Sequence, residues 1–180
     1  MRGDVDEPIS IVAYDPRWPL EYEAESARVR AALGPVVVAI EPFGSSAVPG
    51  LVSKPIIDIL VGVADLQEAK AHVAGLVAIG YEDFGEIFVP GRIYLRKRGT
   101  APHFNVAVTE YGKPFWETNL AVRDYLRAHP AEVLAYARHK QEAVAQGATM
   151  FSSYSQAKDA FVRGLRERAL AWAAGRGAAG

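Results

Sequence analysis

The sequence predicts a mixed α/β fold (α+β), with a small mixed β-sheet and flanking helices in the first two-thirds and a helical last third. β-branched and apolar runs, separated by glycine-rich turns, recur up to about residue 108. From Lys113 onward, apolar residues recur at helical spacing instead. No linker-like stretch divides the two parts, so residues 1–180 are expected to form a single domain.

The composition excludes several classes of protein. Half of the residues are apolar and 23% are charged, as in a soluble globular protein. The net charge of −1 gives no general attraction to nucleic acid or to an anionic membrane. The absence of cysteine excludes disulfides and thiolate metal sites, and no apolar run approaches the roughly 20 residues that span a bilayer. Because the N-terminus lacks a secretory signal, the protein is expected in the cytoplasm.

The first third of the chain predicts one helix and two strands. Asp15-Pro16 indicates a helix start, with Asp15 as the cap and Pro16 at the first position, and Gly34-Pro35 indicates its end. The apolar run 36–40 predicts a first, central strand. After a glycine/serine loop, a second apolar strand is predicted at about 56–63.

The middle of the chain predicts a further helix and an antiparallel strand pair. Asp65 can cap a helix over about 66–79, and a short strand is expected within 81–89. Residues 92–98 alternate in character, as expected of a strand that pairs with the following strand at 103–108.

The last third predicts helices over 114–128, 130–145 and 155–174. Pro130 suits the first position of the second of these helices. Lys140, Tyr154 and Lys158 lie on or beside these helices and, by default, are surface or snorkelling side chains.

The glycine/serine loop is the strongest candidate for a functional site. Gly44 allows a sharp turn, and the amides and hydroxyls of Ser45 and Ser46 could face a phosphate. The following strand brings Lys54 and Asp58 back to the same edge. A carboxylate within an apolar run is costly to bury without a partner, so Asp58 needs a functional or structural explanation.

Asp58 lacks the second carboxylate that metal-binding strands often carry. Ile56 and Leu60 occupy the two positions that share its face. The alternative is therefore a buried aspartate that bonds to the backbone or to an arginine.

Other metal ligands would have to come from neighbouring strands. His103 and Asn105 share one face of the later strand, and Glu41 closes the first strand. The predicted Mg²⁺ ligands are Asp58, Glu41 and His103, and Asn105 is a predicted phosphate contact. The alternatives are a polar sheet rim for His103 and Asn105 and an exposed strand end for Glu41.

Arginines could neutralise an anionic ligand near the loop. Arg92, Arg96 and Arg98 share one strand face, and Arg123 and Arg127 share one helix face. Together with Lys54, Arg92 and Arg123 are the predicted phosphate contacts. A solvated face is the equally weighted alternative for the strand arginines.

Several segments together resemble the GrpB-like family of small bacterial proteins. They are Tyr14-Asp15-Pro16-Arg17-Trp18, Gly44-Ser45-Ser46-Ala47-Val48-Pro49-Gly50-Leu51, Lys54-Pro55-Ile56-Ile57-Asp58-Ile59, His103-Phe104-Asn105-Val106 and Arg123-Asp124-Tyr125-Leu126-Arg127. The resemblance covers about residues 10–165 and implies a nucleotidyltransferase-like fold. Some relatives are joined to dephospho-coenzyme A kinase, for which this chain lacks the length.

Two departures from the family pattern affect the predicted chemistry. Pro42 and Asn105 stand where the family commonly has histidine. The leading hypothesis is a protein that binds a nucleotide or other phosphorylated metabolite and, with Mg²⁺, transfers a nucleotidyl group, with Asp58, His103 and Glu41 as catalytic residues. The alternative is a catalytically silent binding or regulatory module of the same fold. The sequence names neither the nucleotide, the acceptor nor the oligomeric state.

Overall fold

The computed structural model describes residues 6–177. The helices and strands follow in the order α1 (Trp18–Leu33), β1 (Val37–Phe43), β2 (Ile56–Val63), α2 (Leu66–Lys70), α3 (Val73–Ala78), β3 (Glu82–Gly85), β4 (Arg92–Lys97), β5 (His103–Glu110), α4 (Pro114–Ala128), α5 (Pro130–Ala145) and α6 (Phe151–Gly177). Short 3₁₀ turns precede β1 (Gly34–Val36) and follow it (Ser45–Ala47). The predicted mixed α/β architecture with a helical last third is confirmed.

The five strands form one mixed sheet in the order β1-β2-β5-β4-β3. Strands β2 and β5 are parallel, and the other neighbouring pairs are antiparallel, including the predicted pair β4 and β5. The register places Asp58 of β2 between Phe43 of β1 and Asn105 of β5. Since opposed residues share a face, Asp58 and Asn105 lie side by side.

The two faces of the sheet pack against different parts of the chain. Ile57 and Ile59 belong to the main core with helices α1, α2 and α3. Leu60 lies on the opposite face, where it packs with Trp116 of α4. Asp58 shares this second face, which is why its side chain points toward the C-terminal part of the molecule.

Some element boundaries differ from the predicted ones. Helix α1 begins at Trp18, with Arg17 at its N-cap, and the Asp15 carboxylate instead accepts from the Arg17 backbone nitrogen (2.9 Å). The predicted helix over 66–79 is two helices, because the chain tightens into i→i+3 hydrogen bonds at Ala71 and His72. Helix α6 begins at Phe151 rather than at 155.

Strand β1 lies at the edge of the sheet and is not central as predicted. Its Val38 side chain is 50% exposed, and its last residues include Pro42. Proline lacks the N–H that a ladder needs, and an edge strand tolerates this loss.

Asp65 caps α2 as predicted, by accepting from the backbone nitrogens of Gln67 and Glu68.

The segment before α1 ties helix α6 to the sheet. Glu7 forms ion pairs with Arg96 of β4 and with Arg98, which follows that strand, and its carbonyl oxygen accepts from the backbone nitrogen of Phe151. Asp6 accepts hydrogen bonds from Ser152 in the first turn of α6.

Within residues 6–177, every helix is too short or too polar to cross a membrane.

Candidate functional site

The loop after β1 is shaped by a close approach between Gly44 and Asp58. Gly44 has φ 69° and ψ −166°, a region that is essentially restricted to glycine. A Cβ atom at this position would lie 2.7 Å from Asp58 Oδ2, closer than real Cβ atoms come. In the turn that follows, Ser46 Oγ accepts a hydrogen bond from the backbone nitrogen of Asp58 (3.2 Å). The predicted juxtaposition of the loop and this strand is therefore present.

Asp58 has an amide rather than an arginine as its hydrogen-bond partner. Asn105 Nδ2 donates to Asp58 Oδ1 at 3.0 Å. Burial raises the pKa of the Asp58 carboxyl, and the nearby Lys54 ammonium opposes this shift. The carboxyl is thus more easily protonated than an exposed aspartate.

A small cavity with three lysines lies beside this carboxyl, and we call it the lysine cavity. It has a volume of about 210 Å³ and is lined by Gly44, Ser45, Ser46, Ser53, Lys54, Ile56, Asp58, Tyr136, Lys140, Tyr154 and Lys158. The three lysines come from the loop, from α5 and from α6. The Lys140 ammonium donates to Ser45 Oγ (2.6 Å) and to the carbonyl oxygen of Val52 (2.8 Å). Lys140 therefore fixes the loop to α5.

Burial makes the ammonium groups of these lysines easier to deprotonate. It lowers the pKa of Lys54, lowers that of Lys158 to about 8, and lowers that of Lys140 well below its usual range. The positive charge of Lys54 further lowers the pKa of Lys158. Asp58 is the single carboxylate among the lining residues. Lysine side chains therefore outnumber carboxylates three to one in the lining.

The expectation that Lys140, Tyr154 and Lys158 are surface side chains is wrong. Lys140 and Tyr154 are each 1% exposed, and Lys158 lines the lysine cavity. The sequence carries a signal for this arrangement, because α5 and α6 each contain tyrosine and lysine four residues apart (Tyr136 with Lys140, Tyr154 with Lys158). Residues at this spacing share one helix face.

The three predicted metal ligands do not come together. Within residues 6–177, no three histidine, aspartate or glutamate side chains form a group that could hold a metal ion. Glu41 accepts from the guanidinium of Arg123 at 2.7 Å, and His103 lines a separate cavity beside Tyr14. One carboxylate among three lysines differs from the carboxylate-rich, oxygen-ligand sites that hold Mg²⁺. Mg²⁺ stays a prediction from the sequence.

The predicted arginine contacts lie outside the lysine cavity and have protein partners. Arg92 donates to the carbonyl oxygen of Ile87 and lies over the ring of Tyr94. Arg123 is paired with Glu41 and Asp124. Arg96 of β4 is buried and pairs with Glu7, and the partly exposed Arg98 pairs with Glu7 and Glu82.

A larger cleft, which we call the apolar cleft, lies on the other side of the loop. It has a volume of about 760 Å³ and is lined by Tyr14, Trp18, Pro19, Tyr22, Glu23, Pro42, Ser46, Ala47, Val48, Pro49, Gly50, Ile57, Asp58, Leu126, Arg127, Pro130, Val133 and Leu134. Ser46 and Asp58 line both cavities. The loop and Asp58 thus form a common wall.

The fold has counterparts in known proteins. The crystal structure of the conserved protein GrpB from Enterococcus faecalis matches with a TM-score of 0.81 and 32% identity, covering 89% of this chain and 97% of that chain. A structure of the Cid1 poly(U) polymerase with MgGTP bound matches with a TM-score of 0.52 and 16% identity, covering 73% of this chain and 44% of that chain. This second likeness shows the nucleotidyltransferase-like fold and, at that identity, the fold alone.

Relatives found by sequence comparison indicate which protein family the chain belongs to. The UPF0157 protein YqkA of Bacillus subtilis is 34% identical over 168 residues, which cover 93% of this chain and 49% of YqkA. The chain therefore spans about half the length of that relative. The UPF0157 protein BH1888 of Halalkalibacterium halodurans is 33% identical and is covered to 83% of its length. The family model described as GrpB protein matches residues 8–168. The chain therefore belongs to the GrpB family.

Proposed function

We propose that the lysine cavity binds the phosphate groups of a nucleotide or of another phosphorylated small molecule. The observation that carries this proposal is the excess of lysine side chains over carboxylates in the lining of one cavity. Lys54, Lys140 and Lys158 converge on one cavity, and no carboxylate of residues 6–177 forms an ion pair with any of them. Keeping several buried ammonium groups charged is costly unless an anion binds among them.

Each lining group has a role in this proposal. The Gly44 turn lets the backbone of Ser45 and Ser46 approach a phosphate closely. Lys54 and Lys158 neutralise the ligand charge, whereas Lys140 holds the loop in place through its two hydrogen bonds. Asp58, which accepts a hydrogen bond from the Asn105 amide, partly offsets the charge of Lys54.

Nucleotidyl transfer to an acceptor hydroxyl is a second candidate function. It is favoured by the Gly44-Ser45 turn against a strand that carries Asp58, together with the fold shared with Cid1, a protein described with MgGTP bound. In this reaction the acceptor oxygen would bond to the α-phosphorus of a nucleoside triphosphate and displace pyrophosphate, while an ionised Asp58 would accept the proton of the acceptor hydroxyl. The catalytic roles predicted for Glu41 and His103 would need a rearrangement of Arg123 and of the β5 terminus.

The proposal is tested by calorimetric titration of the protein with pyrophosphate and ATP, each with and without Mg²⁺. The test variant is Lys158→Met, and the matched control is Arg163→Met, which removes one positive charge from an exposed side chain of the same helix. A charged hydrogen bond contributes roughly 1.5–3 kcal/mol, so Lys158→Met should weaken pyrophosphate binding by about 10-fold to 100-fold. The control should bind as the wild type does.

One result would refute the phosphate site, and two others would distinguish nucleotidyl transfer from silent binding. If neither pyrophosphate nor ATP binds the wild type, the lysine cavity is not a phosphate site. Transfer would be favoured over silent binding if Mg²⁺ strengthened ATP binding and an Asp58→Ala variant lost that increment. An ATP response that is independent of Mg²⁺ would favour the silent binding module.

A further inference from the structure

We propose that the apolar cleft binds the hydrocarbon part of the same ligand whose phosphate groups occupy the lysine cavity. The ligand class is then a phosphate or diphosphate ester of an apolar alcohol. This inference rests on the proposed function and adds the nature of the group attached to the phosphate.

The sizes of the two cavities support a ligand divided between them. The lysine cavity, at about 210 Å³, is smaller than the roughly 300–1,000 Å³ of ordinary small-molecule sites. The apolar cleft, at about 760 Å³, falls within that range. A phosphorylated metabolite therefore needs more room than the lysine cavity offers, and the cleft supplies it.

The loop joins the two cavities. Its Ser45 side faces the lysines, and its Ala47 and Val48 side faces the cleft. Ser46 and Asp58 line both cavities, so the bond between the phosphate and its substituent would lie beside these two residues. An ionic head and an apolar body would thus each meet a wall of matching chemistry.

The cleft favours a hydrocarbon over a nucleoside because most of its walls lack directional polar groups. Val48, Pro130, Val133 and Leu134 line it from the loop and from the start of α5. The Arg127 guanidinium at its edge already donates to the carbonyl oxygen of Ala47 (2.9 Å). Leu134 is 66% exposed, and an apolar ligand would remove this side chain from water.

Three probes with the same diphosphate group separate the contributions of that group and of its substituent to the binding affinity. They are pyrophosphate, ADP and geranyl diphosphate, titrated calorimetrically against the full chain. Because each buried methylene contributes about 0.8 kcal/mol, burying even a third of the geranyl group should strengthen binding about 100-fold over pyrophosphate. Geranyl diphosphate should also bind more tightly than ADP.

Two matched variants test whether the extra affinity of geranyl diphosphate over pyrophosphate comes from the apolar cleft. Leu134→Gln should reduce the advantage of geranyl diphosphate over pyrophosphate by about 10-fold, with pyrophosphate binding unchanged. The control Val77→Gln changes a half-exposed apolar residue on α3 that does not line the cleft, and should have no effect. Lys158→Met should weaken the binding of all three probes.

Four results would overturn the inference, and they differ from failure of the proposed function. If geranyl diphosphate binds no more tightly than pyrophosphate, the cleft makes no contribution although the phosphate site stands. If ADP binds more tightly than geranyl diphosphate, the attached group is a nucleoside. If Leu134→Gln leaves the geranyl advantage intact, the tail lies elsewhere. If geraniol binds as tightly as its diphosphate and is insensitive to Lys158→Met, the cleft is a separate site. Failure of pyrophosphate itself to bind would instead remove the proposed function.

Discussion

Replacing Gly44 by alanine should both destabilise the protein and damage the lysine cavity. The added Cβ would meet Asp58 Oδ2 at 2.7 Å and would lie 3.4 Å from Asp58 Cγ. The backbone at this position, with φ 69° and ψ −166°, is a conformation that side chains other than glycine rarely adopt. The substitution therefore adds backbone strain and forces the Asp58 carboxyl to move.

The magnitude follows from these two contributions. Strain in such a region costs about 1–3 kcal/mol, and losing the Asn105 hydrogen bond to the displaced carboxyl costs about 1 kcal/mol more. The expected loss in the free energy of unfolding is thus about 3 kcal/mol. Because Asp58 and the loop line the lysine cavity, pyrophosphate affinity should fall about 10-fold or more.

Urea unfolding and calorimetric titration measure these two effects, and Gly50→Ala is the matched control. Gly50 lies in the same loop with φ 81°, but a Cβ there would meet no atom within 4 Å. It should lose about 1–2 kcal/mol from strain alone and keep its pyrophosphate affinity. If the two variants were equally stable and bound pyrophosphate equally well, the close approach of Gly44 to Asp58 would have no energetic or functional importance.

Three further predictions concern charges. Sulfate, whose own charge is constant in this range, should bind more weakly as the pH rises through about 8, since Lys158 then loses its proton. A sulfate affinity that stays the same from pH 7 to pH 9 would contradict this role for Lys158. The Asp58→Asn variant, which removes the one carboxylate of the cavity, should bind sulfate several-fold more tightly at pH 8 by calorimetry, and weaker binding would mean that the carboxylate supports the anion site. The Glu25→Gln variant should lose roughly 3 kcal/mol of stability in urea unfolding, because Glu25 is 1% exposed and pairs with the largely buried Lys97. A loss below about 1 kcal/mol would show that this pair contributes little.

The local parts of the structure were predictable because short-range signals determine them. The apolar run of β2 and the prolines that open α4 and α5 predict those elements with the observed bounds. The contact between the glycine/serine loop and Asp58 was also predicted, because one short connection joins them. The break between α2 and α3 carries no comparable signal, since neither proline nor glycine marks it.

The site was harder to predict because its charges come from distant segments. Lys140 and Ser45, which share a hydrogen bond, are 95 residues apart in the chain. A helix pattern identifies an apolar face but does not say which strand or loop that face meets. The same reason explains Glu41, whose predicted metal role conflicts with an ion pair to Arg123, 82 residues later.

The lysine cavity draws its three lysines from three separate segments of the chain, and this has a consequence for the protein in the cell. In the unfolded chain Lys54, Lys140 and Lys158 are far apart and solvated, so their mutual repulsion arises only on folding. A ligand that binds there acts as the missing counter-ion and stabilises the folded state by mass action. Since the fraction of unfolded molecules sets how much protein is degraded, the amount of this protein should follow the supply of its ligand.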